Sequence, residues 1–291
     1  MKAVLRALVV IVVCLALVFA LAYVVGSSEP KVAGWPLLVV LAAIAMGVQW
    51  LVFIPSYIYQ TEHYYDLTGS LTYLVVVALA VLLADGALDA RAWLVAALVG
   101  CWALRLGTFL FRRVKKAGKD GRFDVIKTRW SRFLVTWTLQ GAWVFITLLA
   151  ALVAITSTHQ APLGVLAYIG LLMWLAGFCI ESIADYQKSA FNGKPENQGR
   201  FVSVGLWRWS RHPNYFGEIL LWIGIAVIAM PVFEGLQWLA LISPLFVVFL
   251  LVKVSGIPLL EKRAEEKWGD SLDYHVYKKE TPLLLLRPPR K

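Results

Sequence analysis

Asn197–Trp222 reads NQGRFVSVGLWRWSRHPNYFGEILLW and runs straight on into the apolar IGIAVIAMPV. Arg200, Arg208, Arg211, His212, Asn214, Tyr215 and Glu218 therefore crowd against a run of membrane length. Charged groups at a bilayer boundary are costly unless they are paired or put to use. Pro213 has no N–H to offer and suits a first helical turn, so the spacing predicts a helix starting near His212. On that helix Asn214 and Glu218 share a face, with Arg211 just ahead of the first turn. An exposed helix N-terminus flanked by arginines attracts anions. The stretch thus predicts an anionic ligand held at the mouth of a membrane helix bundle.

The rest of the chain agrees with a membrane setting. Of 291 residues 60% are hydrophobic and 13 are tryptophan, and the mean hydropathy of +0.71 is higher than a soluble protein of this size needs. Apolar runs that reach the ~20 residues of a bilayer span fall at about 4–25, 35–56, 70–84, 91–111, 133–155, 162–183, 215–232 and 236–255. The third is short enough to be re-entrant, so the expected fold is an all-α polytopic bundle of seven or eight spans. It forms one integral membrane domain, 1–291, with an interfacial C-terminal segment over 256–291. The N-terminal apolar run exceeds the ~7–15 residues of a signal-peptide core and lacks a clean cleavage site, which favours a retained first span. Cys14, Cys101 and Cys179 have neither disulfide nor metal spacing and are expected to be small core residues.

Lysine and arginine set the orientation. Arg112–Arg132 carries nine basic residues against two aspartates, whereas Thr156–Gly164 carries no Lys, Arg, Asp or Glu. Counting outward from the basic loop puts both termini in the cytoplasm. The net charge of +10 is then accounted for by cytoplasmic loops rather than by nucleic-acid binding. The polar clusters at 59–69, 112–132, 184–214 and 256–291 all fall on that side, where they are expected to meet.

Each cluster has a plain reading beside a chemical one. Arg112, Arg113 and Arg122 hold a loop inside, and with the nearby lysines they also suit phosphates. Arg105 lies within the fourth span and either snorkels or faces a polar cavity. Glu181, Asp185 and Lys188 share a helical face; Asp185–Lys188 is a simple surface pair, or Asp185 accepts from a ribose or amide. In QTEHYYDLTG, Tyr65 and Asp66 are either interfacial belt and helix start or proton donor and its carboxylate. Glu261 and Arg263 open a charged helix after the last span, which lies on the membrane or closes over a ligand. No dinucleotide glycine fingerprint, Walker lysine or metal-ligand spacing is present in the sequence.

GLWRWSRHPNYFGEI, with ENQGRF before it and PLLEKRAEEKWG after it, resembles the bacterial DUF1295 branch of the steroid 5α-reductase family, as do KDGRF and DLTGSLTYL. The resemblance runs from about Tyr59 to the C-terminus. It implies an NADPH-dependent reduction of a carbon–carbon double bond conjugated to a ketone, in a lipophilic substrate drawn from the bilayer. It also implies the bacterial inner membrane. Arg105, Asp185, Asn214 and Glu218 match positions of cofactor or catalytic contact, and Arg211 and His212 belong to the same motif. The candidate catalytic residues are Asp66, Tyr65 and Glu218. The candidate cofactor-binding residues add Lys188, Asn197, Arg208, Tyr215, Glu261 and Arg263 to the arginines above, and no metal is expected. The family's steroid members carry a glutamine–glutamate pair where this chain has Tyr65-Asp66, and a tyrosine where it has Trp102. The rival reading is an S-adenosylmethionine-dependent methyltransferase of a lipid or prenyl cysteine, which shares the arginine–histidine turn but has less use for the basic loop.

Overall fold

Inside a bilayer a backbone must satisfy its own N–H and C=O groups, and a long apolar run does so by becoming a helix. The computed structural model describes residues 2–27, 30–86, 88–118, 120–121 and 123–289. Its helices are α1 (Lys2–Val25), α2 (Leu37–Ile58), α3 (Tyr65–Leu83), α4 (Ala90–Ala117), α5 (Trp130–Thr156), α6 (Val165–Asn192), α7 (Pro213–Ala229), α8 (Ile242–Phe249), α9 (Ile257–Trp268) and α10 (Leu272–Glu280). Among the described residues, eight helical segments are long and apolar enough to cross a membrane. The chain is an all-α polytopic bundle, and this composition makes it an integral membrane protein.

Several boundaries move from their expected places for local reasons. α3 starts at Tyr65 rather than near 70 and spans 19 residues, with Asp66 in its first turn where the helix dipole favours a negative charge. α4 continues past 111 through Arg112 and Arg113 and ends at Gly118, whose φ of 75° is a left-handed stop. The eighth crossing is irregular: a 3-10 stretch over Gly235–Leu241, then α8, then a π turn over Leu250–Val254. A small hairpin, β1 (Lys31–Val32) with β2 (Trp35–Pro36), joins α1 to α2. Ala33 and Gly34 both have positive φ, as a tight two-residue hairpin requires.

Contacts divide the chain into two compact units, Met1–Ala167 with Ile228–Ser243, and Tyr168–Val227 with Pro244–Lys291. In the first, α5 is the axis: 78% of its apolar window is buried, against 22–56% for the other spans, and α1 to α4 all pack on it. Buried side chains also bond between helices: Gln49 Nε2 donates to Thr72 Oγ1 at 2.8 Å and Trp50 Nε1 to Thr138 Oγ1 at 3.0 Å. Such bonds have little competition from solvent in an apolar interior. At the other end, buried Arg91 donates to the carbonyls of Ile228, Ala161 and Pro162.

In the second unit α6 and α7 run antiparallel with their backbones touching. A Cβ on Gly177 would stand 2.5 Å from the Gly217 carbonyl, one on Gly217 2.5 Å from the Gly177 carbonyl, and one on Gly224 2.6 Å from the Gly170 carbonyl. Small residues permit this approach, and the contact brings the end of α6 beside the start of α7. The cysteines depart from expectation: Cys101 and Cys179 are exposed and Cys14 half-buried. A spanning helix turns apolar residues toward lipid as readily as inward, so an apolar segment does not imply a core position.

Candidate functional site

In the second unit the polar residues gather where α6 ends and α7 begins. Asn214 Nδ2 donates to Asp185 Oδ1 at 3.2 Å across the glycine seam. Glu218 lies one turn further along α7, and Glu181 one turn deeper on α6 and buried. Just before α7, His212 Nε2 donates to Glu261 Oε1 at 2.8 Å, and Arg211 Nη1 pairs with Glu261 Oε2. The imidazole is 4% exposed and stacks on Tyr215 at 5.7 Å between centroids. Lys188 sits 4.7 Å over the Trp207 ring.

The loop from Gly199 to Arg211 is pinned from two directions. Trp207 Nε1 donates to Ala184 O at 3.0 Å, and the Leu206 amide to Gln187 Oε1 at 2.9 Å. From the C-terminus, Tyr277 Oη donates to Trp207 O at 2.7 Å. Arg211 N donates to Pro282 O and Arg287 N to Trp209 O, so the tail lies alongside residues 209–211. Phe201, Trp268, Tyr274 and Tyr277 pack ring against ring beneath it. The expected exposed N-terminus of α7 is therefore covered. His212 and Pro213 are buried, and Arg211 already faces a carboxylate of its own chain.

A second cluster lies in the first unit. The Tyr65 ring meets Phe123 at 4.8 Å and Trp137 at 5.0 Å, and its hydroxyl donates to the Thr136 carbonyl at 3.1 Å. Gln140 Nε2 donates to the Tyr65 carbonyl at 3.1 Å. Asp66 accepts from Arg113 at 3.4 Å, a pair whose arginine is half exposed and which adds little stability. Glu62, the acid of QTEHYYDLTG that carries no role in the sequence-based expectations, is the centre of this region. Its side chain is buried, takes Lys127 Nζ at 2.5 Å, and accepts the Asp120 amide at 3.0 Å. His63 Nε2 lies 2.7 Å from the Gly118 carbonyl. Glu62 thus fastens the basic loop to the turn after α2. In the sequence only an acid beside a histidine in QTEHYYD hinted at this.

Arg112, Arg208 and Arg263 are exposed, and Arg105 is half-buried on α4. Asn197 donates its amide to the Phe191 carbonyl at 2.9 Å and stabilises the end of α6. Arg122 lies outside the described residues. Among the described residues no group of three His, Cys, Asp or Glu is arranged to hold a metal ion.

Burial pushes the His212 imidazole below its ordinary value; the Glu261 carboxylate pulls it back in part, and Lys188 and Arg211 push it down again. Burial alone would raise the Glu62 carboxyl, but the bonds from Lys127 and the Asp120 amide outweigh it and hold it low. The Tyr277 hydroxyl is pushed well up by burial and stays a donor. With Glu261 ionised, the proton on His212 belongs on Nε2, which leaves Nδ1 as an acceptor.

No curated protein and no solved structure matches this chain. The family model described as "Protein of unknown function (DUF1295)" matches residues 52–281, which takes in α3 to α10, and the chain belongs to that family.

Proposed function

We propose that the protein is an NADPH-dependent reductase of a carbon–carbon double bond conjugated to a ketone, in a steroid-like or other lipophilic substrate that enters from the bilayer. The observation that supports this most is the polar row Asp185, Asn214 and Glu218 beside Arg211 and His212, carried by two membrane helices locked together through glycine. Three buried atoms of this row lack a protein partner: His212 Nδ1, Asn214 Oδ1 and Arg211 Nε. Two acceptors and a guanidinium donor suit the hydroxyl and amide groups of a nicotinamide nucleotide, so the residues fit the cofactor. Asp185, Asn214 and Glu218 would hold those groups, and Lys188 would meet its phosphates.

NADPH supplies a hydride when bound. On this reading Glu218 orients the carboxamide, and the proton donor to the ketone oxygen, as the family resemblance implies, is Tyr65 with Asp66. The Tyr65 hydroxyl then exchanges its bond to the Thr136 carbonyl for one to substrate. A positioned donor at a developing enolate typically contributes ~2.7–4 kcal/mol. The same reading places both termini in the cytoplasm of a bacterial inner membrane, with no nucleic-acid partner.

Thermal shift of the purified protein with NADPH, NADH and S-adenosylmethionine tests the assignment. Stabilisation by NADPH, reduced in Asp185→Asn, is expected. Stabilisation by S-adenosylmethionine alone would transfer the protein to the lipid or isoprenylcysteine methyltransferases. With a substrate in hand, Asp66→Asn should lower turnover far more than NADPH affinity, and equal losses would remove Asp66 from its role.

A further inference from the structure

The hairpin between α1 and α2 shapes a groove of about 230 Å³ lined by Tyr23, Ser27, Lys31, Gly34, Trp35 and Pro36. Its position follows from the chain. Tyr23 is in the last turn of α1, and Pro36 immediately precedes α2, so the groove lies where two spans leave the hydrocarbon. The hairpin is held by its antiparallel pairing and by Leu37 N donating to Pro30 O at 2.8 Å. Beneath it α1 and α2 are in close contact: a Cβ on Gly26 would meet Leu38 Cβ at 3.0 Å.

The lining has the chemistry of a lipid headgroup site. Tyr23 and Trp35 are 57% and 60% exposed, unusual for large aromatics in water but ordinary at headgroup depth, where an apolar body and a polar tip are both satisfied. Lys31 is exposed on the same hairpin and brings a positive charge to the groove. Ser27 Oγ donates to Val24 O at 3.0 Å and keeps acceptor capacity toward a glycerol hydroxyl. Below Tyr23, on the same face of α1, Ala20, Ala16 and Val12 are exposed at spacings of three and four, Val12 by 64%. A phosphate alone would use the lysine and leave the aromatics and this apolar lane unused; a phospholipid uses all three.

We propose that this groove is a binding site for an anionic glycerophospholipid, with the phosphate at Lys31, the glycerol region between Tyr23 and Trp35, and an acyl chain along Ala20, Ala16 and Val12. The site is independent of the reductase reading and needs no turnover to be tested.

Native mass spectrometry of the delipidated full-length protein in detergent, titrated with phosphatidylglycerol, diacylglycerol of the same chains, or inorganic phosphate, separates the contributions. Phosphatidylglycerol should bind and the other two should not. Lys31→Gln should weaken phosphatidylglycerol binding about fivefold, the effect of one basic residue at an anionic surface. Lys262→Gln, the same charge change on exposed α9, should leave it unaltered, and Trp35→Leu should weaken it further when combined with Lys31→Gln. Equal binding by wild type and Lys31→Gln would overturn the proposal. So would equal weakening by Lys262→Gln, binding of diacylglycerol as tight as the phospholipid, or competition by inorganic phosphate.

Discussion

His212 Nε2 lies 2.8 Å from Glu261 Oε1, and the other carboxylate oxygen takes Arg211, so one acid on α9 closes over two consecutive residues at the head of α7. Both partners are largely buried, and removing the carboxylate leaves a guanidinium and an imidazole without their acceptor. Glu261→Ala should destabilise the protein by about 1–3 kcal/mol, the usual penalty for orphaned buried polar groups. A thermal melt in detergent reads this, and an unchanged melting temperature would show that water replaces the carboxylate.

The His212 imidazole is held below its ordinary value of 6.5. The unfolded chain therefore binds a proton at mildly acid pH that the folded protein resists, and stability falls as pH drops below 6.5 toward the folded value. His212→Gln, which keeps a donor for Glu261 without titrating, should flatten this slope. Melting temperatures from pH 7.5 to 5 for both proteins provide the comparison.

Glu62 behaves in the opposite range. Its carboxyl is held below the ordinary 4.5, so the stability it contributes is present above that value and lost as pH falls through the folded one. Glu62→Ala should release the loop it fastens. Limited trypsin digestion should then cut faster at Lys127 and Arg129 than in wild type, whereas cleavage at Lys262 should be unchanged.

The glycine seam predicts a contrast within one residue type. Gly177→Ala or Gly217→Ala forces a methyl against a facing backbone carbonyl and should cost about 1–3 kcal/mol, with loss of the Asp185–Asn214 alignment. Gly47→Ala and Gly100→Ala place the same methyl in open space on α2 and α4. There the better helix propensity should stabilise by up to ~1 kcal/mol. Melts of the four variants decide whether position, rather than glycine itself, carries the effect.

Most of the scaffold was legible in the sequence because its causes are local. Twenty or so apolar residues become a spanning helix wherever they occur, and Pro213 marks the start of α7 because its own ring fixes φ and removes a donor. The site was legible only as a set of residue types. Arg211, His212, Asn214 and Glu218 stood out because they are polar at a membrane boundary, but which of them are already paired could not be read from spacing.

That depended on partners far away in the chain. Glu261 is 49 residues from His212, and Glu62 is 65 from Lys127. An arginine in the sequence is only a positive charge; whether it awaits an anion or already holds one depends on which carboxylate the fold brings beside it. In the same way Gly177 and Gly217 look like two ordinary glycines in separate helices. Only the packed pair, with each backbone filling the space a side chain would need, decides that Asp185 and Asn214 meet. Composition and local geometry determined that this chain is a bundle of membrane helices, and tertiary packing decided which of its charges are neutralised within the chain.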